Sequence, residues 1–160
     1  MIRELALASL LACAPVAAQQ AAAACASVPP TAAKQAAMNE INQFRVQNGR
    51  AALCYNSKID SAAQWLANDM ATKNYFSHTD SLGRNGGQRL TYYGYNWSWW
   101  GENIAAGYTT WHAAIVAWEN SPEHRANLLS TNFKEMGLGQ AYNANSTYKY
   151  YWTNDLGAPR

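Results

Sequence analysis

Glu135-Met136-Gly137-Leu138-Gly139-Gln140-Ala141-Tyr142 is followed by Asn143-Ala144-Asn145-Ser146 and then by Thr147-Tyr148-Lys149-Tyr150-Tyr151-Trp152-Thr153-Asn154-Asp155. The two outer runs read as strands, and the Asn/Ser-rich tetrapeptide between them reads as a hairpin loop. In the second run Tyr148, Tyr150 and Trp152 alternate with Lys149, Tyr151 and Thr153, the two-residue period of a pleated strand. The long periodic stretches upstream are helical. Helices first and a terminal hairpin last predict an α+β fold in which helices cover an antiparallel sheet.

Moving toward the N-terminus, Trp111, Ile115 and Trp118 form an apolar stripe on a helix expected over 109–120. Ser121-Pro122 should interrupt that helix, since proline lacks the amide proton and clashes with the preceding turn. The stripe reads as core packing. Between 77 and 101 the chain is rich in Gly, Asn and aromatic residues; Arg84-Asn85-Gly86-Gly87 reads as a turn and 88–93 as a short helix. Ile59, Ala63, Leu66 and Met70 recur at helical spacing, so 57–73 is a second long helix, with a capping-box-like start at Ser57-Lys58-Ile59-Asp60 and Trp65 extending its buried face. Met38, Ile41 and Phe44 mark the first helix, entered after Thr31 and closed at Gly49.

The chain has 160 residues, a length that suits one hydrophobic core, and 49% of them are hydrophobic, enough to fill it. Only 14% are charged, so neutral polar side chains must cover much of the surface. A net charge of +2, with 12 scattered Lys and Arg, supplies no basic face for nucleic acid.

Residues 1–18 read as an export signal: Arg3, partly offset by Glu4, precedes an apolar stretch too short to span a bilayer, and Val16-Ala17-Ala18 offers a cleavage site before Gln19. A second reading takes Leu10-Leu11-Ala12-Cys13 as a lipoprotein signal, with Cys13 lipidated. Either way the protein is expected outside the cytoplasm, secreted or periplasmic, or lipid-anchored through Cys13. No later stretch is apolar enough for a transmembrane segment. Of the three cysteines, assigning Cys13 to the signal leaves Cys25 and Cys54 as an even pair in an oxidising compartment. A bridge between them closes a loop of about 30 residues, worth about 3–4 kcal/mol in the chain-entropy model; two unpaired thiols are the alternative. Residues 19–37 form an Ala/Gln-rich arm, ending its linker part at Pro29-Pro30, and the start of the first helix.

Two of the three histidines sit in suggestive surroundings, Tyr75-Phe76-Ser77-His78 and Ser121-Pro122-Glu123-His124-Arg125. Between them Gly101-Glu102-Asn103-Ile104-Ala105 places a carboxylate in an apolar, strand-like segment. A carboxylate there needs donors or a cation, and a histidine from another segment is a natural partner. The chain has no HExxH, GxSxG or phosphate-loop signature.

Taken in order, these segments together with Trp118, Ala126-Asn127-Leu128-Leu129, Met136-Gly137-Leu138-Gly139 and Tyr151-Trp152-Thr153 resemble the CAP superfamily. It groups cysteine-rich secretory proteins, antigen 5 and pathogenesis-related class 1 proteins, and this chain is similar to its compact bacterial form, the SCP domain, over residues 38–157. The resemblance implies a three-layer α-β-α sandwich with a central antiparallel sheet, and a cleft lined by two histidines and two acidic residues. His78, Glu102 and His124 match three of these. Family members carry a Glu three residues after the helix Trp, where this chain has Ser121; Glu119 and Glu123 are near enough to substitute, Glu119 being the first choice. His112 matches no motif.

Two neutral imidazoles suit zinc or a similar divalent ion, and Glu102 beside them could hold a metal-bound water. Two functional classes follow. One is a non-enzymatic module that requires no cofactor, acts as a monomer and binds an extracellular ligand or partner, with lipid or sterol the class that the resemblance implies. The other is a metal-dependent, protease-like hydrolase using His78, His124 and Glu102.

Overall fold

The structure, a computed structural model, describes Cys25 and residues 31–160. The export segment with Cys13 and most of the arm lie outside the described residues. The elements in chain order are α1 (Ala32–Gln47), β1 (Cys54–Tyr55), α2 (Ser57–Lys73), α3 (Gly86–Tyr92), β2 (Trp97–Ala106), α4 (Trp111–Asn120), α5 (Pro122–Leu129), β3 (Glu135–Tyr142) and β4 (Tyr150–Pro159). The sheet order is β1-β3-β4-β2. Its three long strands are antiparallel, while the two-residue β1 joins β3 in parallel, so the sheet is mixed. Among the described residues no helix is long and apolar enough to cross a membrane.

Alternation along each strand sends side chains to two helical layers. On one face Met136, Leu138, Trp152 and Leu156 pack with Met38 and Ile41 of α1, Ile115 and Trp118 of α4 and Leu128 of α5. On the other, Ile104 and Tyr151 meet Leu66 and Met70 of α2, and Leu90 of α3 joins Ile59. Both faces are covered, which is why Tyr151 and Trp152 are both buried despite their alternation. Trp118 and Ile115 are buried as the stripe requires, and Trp111 is partly buried against Trp152, their rings 4.7 Å apart.

Gly137 and Gly139 set the spacing between α2 and the sheet. A Cβ at Gly137 would lie 2.1 Å from the Asp60 amide nitrogen, and one at Gly139 would lie 2.2 Å from the Ala63 carbonyl oxygen. The Cys25–Cys54 disulfide is formed, with Cα atoms 5.3 Å apart, and ties the arm to β1.

Several boundaries differ from the sequence reading. Asn56, not Ser57, caps α2, its side chain accepting from the Lys58 and Ile59 amides. Gly86 and Gly87 belong to α3, opened by a capping box between Asn85 and Gln88. Trp100 lies over both glycines, where a Cβ would come within 2.7 Å of its ring. The helix expected over 109–120 starts at Trp111, with Thr110 as its cap. Trp65 is only half-buried, with the Arg84 guanidinium 4.5 Å above its ring. The second hairpin strand starts at Tyr150, after a wider loop in which Lys149 takes φ 62°, and continues to Pro159 because β2 supplies pairing partners as far as Trp97.

Candidate functional site

β2 is an edge strand, and its consecutive residues Glu102 and Asn103 point to opposite faces of the sheet. Both are buried, and each fixes one of the two histidine-bearing segments.

On the α2/α3 face, Glu102 Oε1 lies 2.7 Å from His78 Nδ1, and Oε2 accepts from Arg89 Nη2. Arg89 is fully buried on α3. Its Nη1 also donates to the carbonyls of His78 at 3.0 Å and Arg84 at 2.9 Å, so the same guanidinium holds the backbone of the His78 loop. Asp80 lies 3.7 Å from Arg89 and accepts from Arg84 Nε at 2.9 Å. The Arg84 guanidinium is sandwiched between the rings of Trp65 and Tyr92, at 4.5 and 4.7 Å.

Burial pushes the Glu102 carboxyl up, but the His78 hydrogen bond, the Arg89 charge and a hydrogen bond with Asp155 bring it below the usual carboxylate range. An ionised carboxylate only accepts, so His78 Nδ1 carries the proton and donates. His78 Nε2 is thereby left for a ligand, on a side chain that is 56% exposed.

On the opposite face, Asn103 Nδ2 donates to the His124 carbonyl at 3.1 Å, and Asn103 Oδ1 accepts from Asn127 Nδ2 at 2.9 Å. His124 stands in the first turn of α5, behind Pro122 at the helix start, and its Nδ1 is 2.9 Å from Ser121 Oγ. Burial lowers the His124 pKa, nearby His78 lowers it further, and Glu123 opposes. The two histidines thus reach each other electrostatically around the edge of β2, although they are tethered to different faces of it.

Among the acidic alternatives, Glu123 lies beside His124, whereas Glu119 lines a groove between α1 and α4 with Glu40 and His112. Burial and Glu40 raise the Glu119 pKa, while Arg125 and His112 act against them. Glu119, the first choice from sequence, therefore stands on the α1 side of α4, in the groove with Glu40 and His112. Ser121 occupies the position beside His124. His112 is exposed and pairs with Glu40 at 2.6 Å.

The donor set matches zinc or a similar divalent ion in kind, since each imidazole has one nitrogen oriented by a neighbour, as metal ligands do. In number it falls short. Among the described residues, no three His, Cys, Asp or Glu side chains come together in a set that would hold an ion.

Arg89, Asp80 and Asp155 were not identified as site residues from the sequence. Asp155 is the cross-strand partner of Glu102 and is fully buried beside it. Its signal, a carboxylate in the middle of a buried strand that opens on aromatics, becomes readable only when the β2–β4 register is known.

A family model described as the cysteine-rich secretory protein family, CAP, matches residues 38–156. The uncharacterized protein YkwD of Bacillus subtilis (strain 168) is 33% identical over 98 residues, 61% of this chain and 38% of that protein. The uncharacterized membrane protein YlbC of the same organism is 31% identical over 109 residues, 68% of this chain and 32% of that protein. The match thus spans about a third of the length of these curated relatives. An extracellular SCP-domain protein of Bacillus anthracis superposes with a TM-score of 0.66 at 31% identity, over 82% of this chain and 45% of that one. An outer surface protein of Borrelia burgdorferi superposes with a TM-score of 0.74 at 19% identity, over 83% of this chain and 97% of that one, a likeness of fold.

Proposed function

The chain belongs to the cysteine-rich secretory protein (CAP) family, and we propose that it acts outside the cytoplasm as a non-enzymatic module that binds a ligand or partner at the His78/His124 cleft. The observation that carries this reading is the engagement of Glu102. One of its oxygens receives His78 and the other receives Arg89, and Asp155 stands beside it. With His78, Arg89 and Asp155 taking most of its acceptor sites and holding it below the usual carboxylate range, Glu102 is a poor base for activating a water, and Ser121 stands beside His124. A general base must reach the proton that it abstracts.

What the cleft offers a ligand is the exposed ring of His78, the imidazole of His124 and the exposed carboxylate of Glu123. A zinc or similar divalent ion would be held there by the two imidazoles, leaving its remaining positions to water, and would act as a bridge to an anionic ligand group. Two protein ligands are fewer than structural or catalytic zinc sites use, so the module does not depend on the ion. Lipid or sterol is the ligand class that the family membership suggests.

The test is to expose the purified protein and a His78→Ala/His124→Ala variant to lipid extracts, and to identify retained compounds by mass spectrometry. A compound held by the wild type and lost from the variant supports the binding reading. Peptide cleavage by the wild type that disappears in Glu102→Gln would replace it with the hydrolase.

A further inference from the structure

We infer that Asp155 is held as a neutral carboxylic acid that donates its proton to Glu102, and that it is a positioning residue for the His78 side of the cleft. Glu102 and Asp155 are directly paired across β2 and β4, so their side chains leave the same face of the sheet as neighbours. They are 6% and 1% exposed.

No described group donates a hydrogen bond to either carboxyl oxygen of Asp155; its own hydrogen-bonding contact is with the Glu102 carboxylate. Two ionised carboxylates cannot hydrogen-bond each other, so the contact exists only if one of them carries a proton. Glu102 already accepts from His78 and Arg89, which leaves the proton on Asp155.

The charge count of the buried cluster agrees. From α3 Arg89 faces Glu102, and from the loop before it Arg84 is paired with Asp80, so two guanidiniums answer two carboxylates. Asp155 would be a third anion with no cation of its own. From β2 Glu102 repels it and from α2 Asp60 repels it as well; Arg89 of α3 attracts it but is already paired with Glu102, and on its β3 side stands Gly137, which has no side chain. An unpaired buried charge costs several kcal/mol, and such a group takes up a proton instead.

The proton makes Asp155 a donor, and the donor fixes the carboxylate that orients His78. Nothing in this placement requires a bound ligand. It rests on the proposed function only for what the oriented imidazole then does.

The experiment uses the full chain labelled with carbon-13 at the Asp carboxyls. At pH 7 one Asp signal is expected at the position of a protonated acid, and its loss in Asp155→Asn assigns it. Asp155→Asn, whose amide still donates to Glu102, should keep wild-type thermal stability at pH 7 and the Nδ1–H tautomer of His78 in nitrogen-15 spectra. Asp155→Leu, of similar size but without a donor, should shift the His78 ring-nitrogen signals. An Asp155 signal in the ionised position at pH 7 overturns the inference, as does a large gain in stability of Asp155→Asn at that pH. If Asp155→Leu folds and leaves the His78 signals unmoved, the positioning role is wrong. If Asp155→Leu does not fold, the carboxyl signal and the Asp155→Asn comparison decide. Failure of the lipid-retention test with the protonated signal intact would fault the binding reading alone.

Discussion

Asn103 holds the His124 carbonyl from the face of β2 opposite to the one on which Glu102 holds His78. One strand therefore positions both histidine-bearing segments through neighbouring residues, by side-chain hydrogen bonds on opposite faces, with Asn127 Nδ2 also donating to the Glu102 backbone carbonyl at 3.3 Å. The settings of the two histidines should be separable by mutation.

Asn103→Ala tests that separation. It leaves the His124 carbonyl without its donor and the Asn127 amide with the Glu102 carbonyl alone, at a cost of about 1–3 kcal/mol. Urea unfolding should report that loss. Imidazole spectra should show His124 disturbed and the His78 Nδ1–H retained; equal disturbance of both would mean that the networks are one.

Gly137→Ala tests the spacing of α2 from the sheet. The new Cβ would sit 2.1 Å from a backbone nitrogen in α2, which no side-chain rotation can relieve. A destabilisation above about 3 kcal/mol is expected, at or beyond the upper range for overpacking. Gly49→Ala is the control: Gly49 has φ +70° with open space around it, so its cost is the left-handed conformation alone, about 1 kcal/mol. Similar losses at the two sites would contradict the close approach.

Trp118→Ala should cost about 3–5 kcal/mol, as large core truncations do. Trp118 is 1% exposed and its indole donates to the Ile104 carbonyl at 3.1 Å, so the change opens a cavity and leaves an acceptor without its donor. A urea melt showing less than about 1 kcal/mol would place the stripe outside the core.

The helices and the terminal hairpin were legible because each carries its own period: Ile59, Ala63, Leu66 and Met70 mark α2, and the strand over 135–142 has the bounds of β3. The wide loop before β4 was not, because the left-handed Lys149 has no composition signal and β4 is extended by a pairing partner far upstream in the chain. His78, Glu102 and His124 could be named by resemblance, and the structure links the first two directly. Arg89, Asp80 and Asp155 were missed because their meaning lies in a register and a buried charge balance. The setting of Glu119 in the groove beside Glu40 and His112 was not legible for a related reason: one residue of helical rotation decides which face a side chain joins.

Two groups should lower stability in acid and a third should raise it. Burial keeps the folded-state pKa of His124 below its ordinary value, so the unfolded chain takes up the proton first and stability drops as pH falls below about 6.5. Glu102 is held below the usual carboxylate range, so the stability from its ionised form is lost further down, as pH falls below about 4.3 and through the lowered folded value. Asp155, raised well above its usual range, works the other way: it stabilises in acid and loses that contribution as pH rises. Urea unfolding of the wild type and His124→Gln between pH 8 and pH 5 should show the wild type losing stability relative to the variant, a difference from which the Asp155 contribution common to both cancels. A loss of equal size in both would assign it to another group.

Zinc binding is the last expectation. With His78 Nδ1 donating to Glu102 and His124 Nδ1 beside Ser121, the ring nitrogens left for a metal are the two Nε2 atoms. Two protein ligands make a weak site, so calorimetry should find an affinity well short of that of a structural zinc centre. His78→Ala and His124→Ala should each abolish the heat of binding while leaving the protein folded, because neither side chain belongs to the core. Ser121→Ala removes only the group that orients His124 and should weaken binding by about 10–100-fold. Affinity should also fall as pH drops below about 6.5, since only a neutral imidazole ligates. Equal affinity in all four proteins would place the ion elsewhere on the chain. No heat with the wild type would leave the two histidines acting through hydrogen bonds alone, and the ligand would then have to be recognised without a metal bridge.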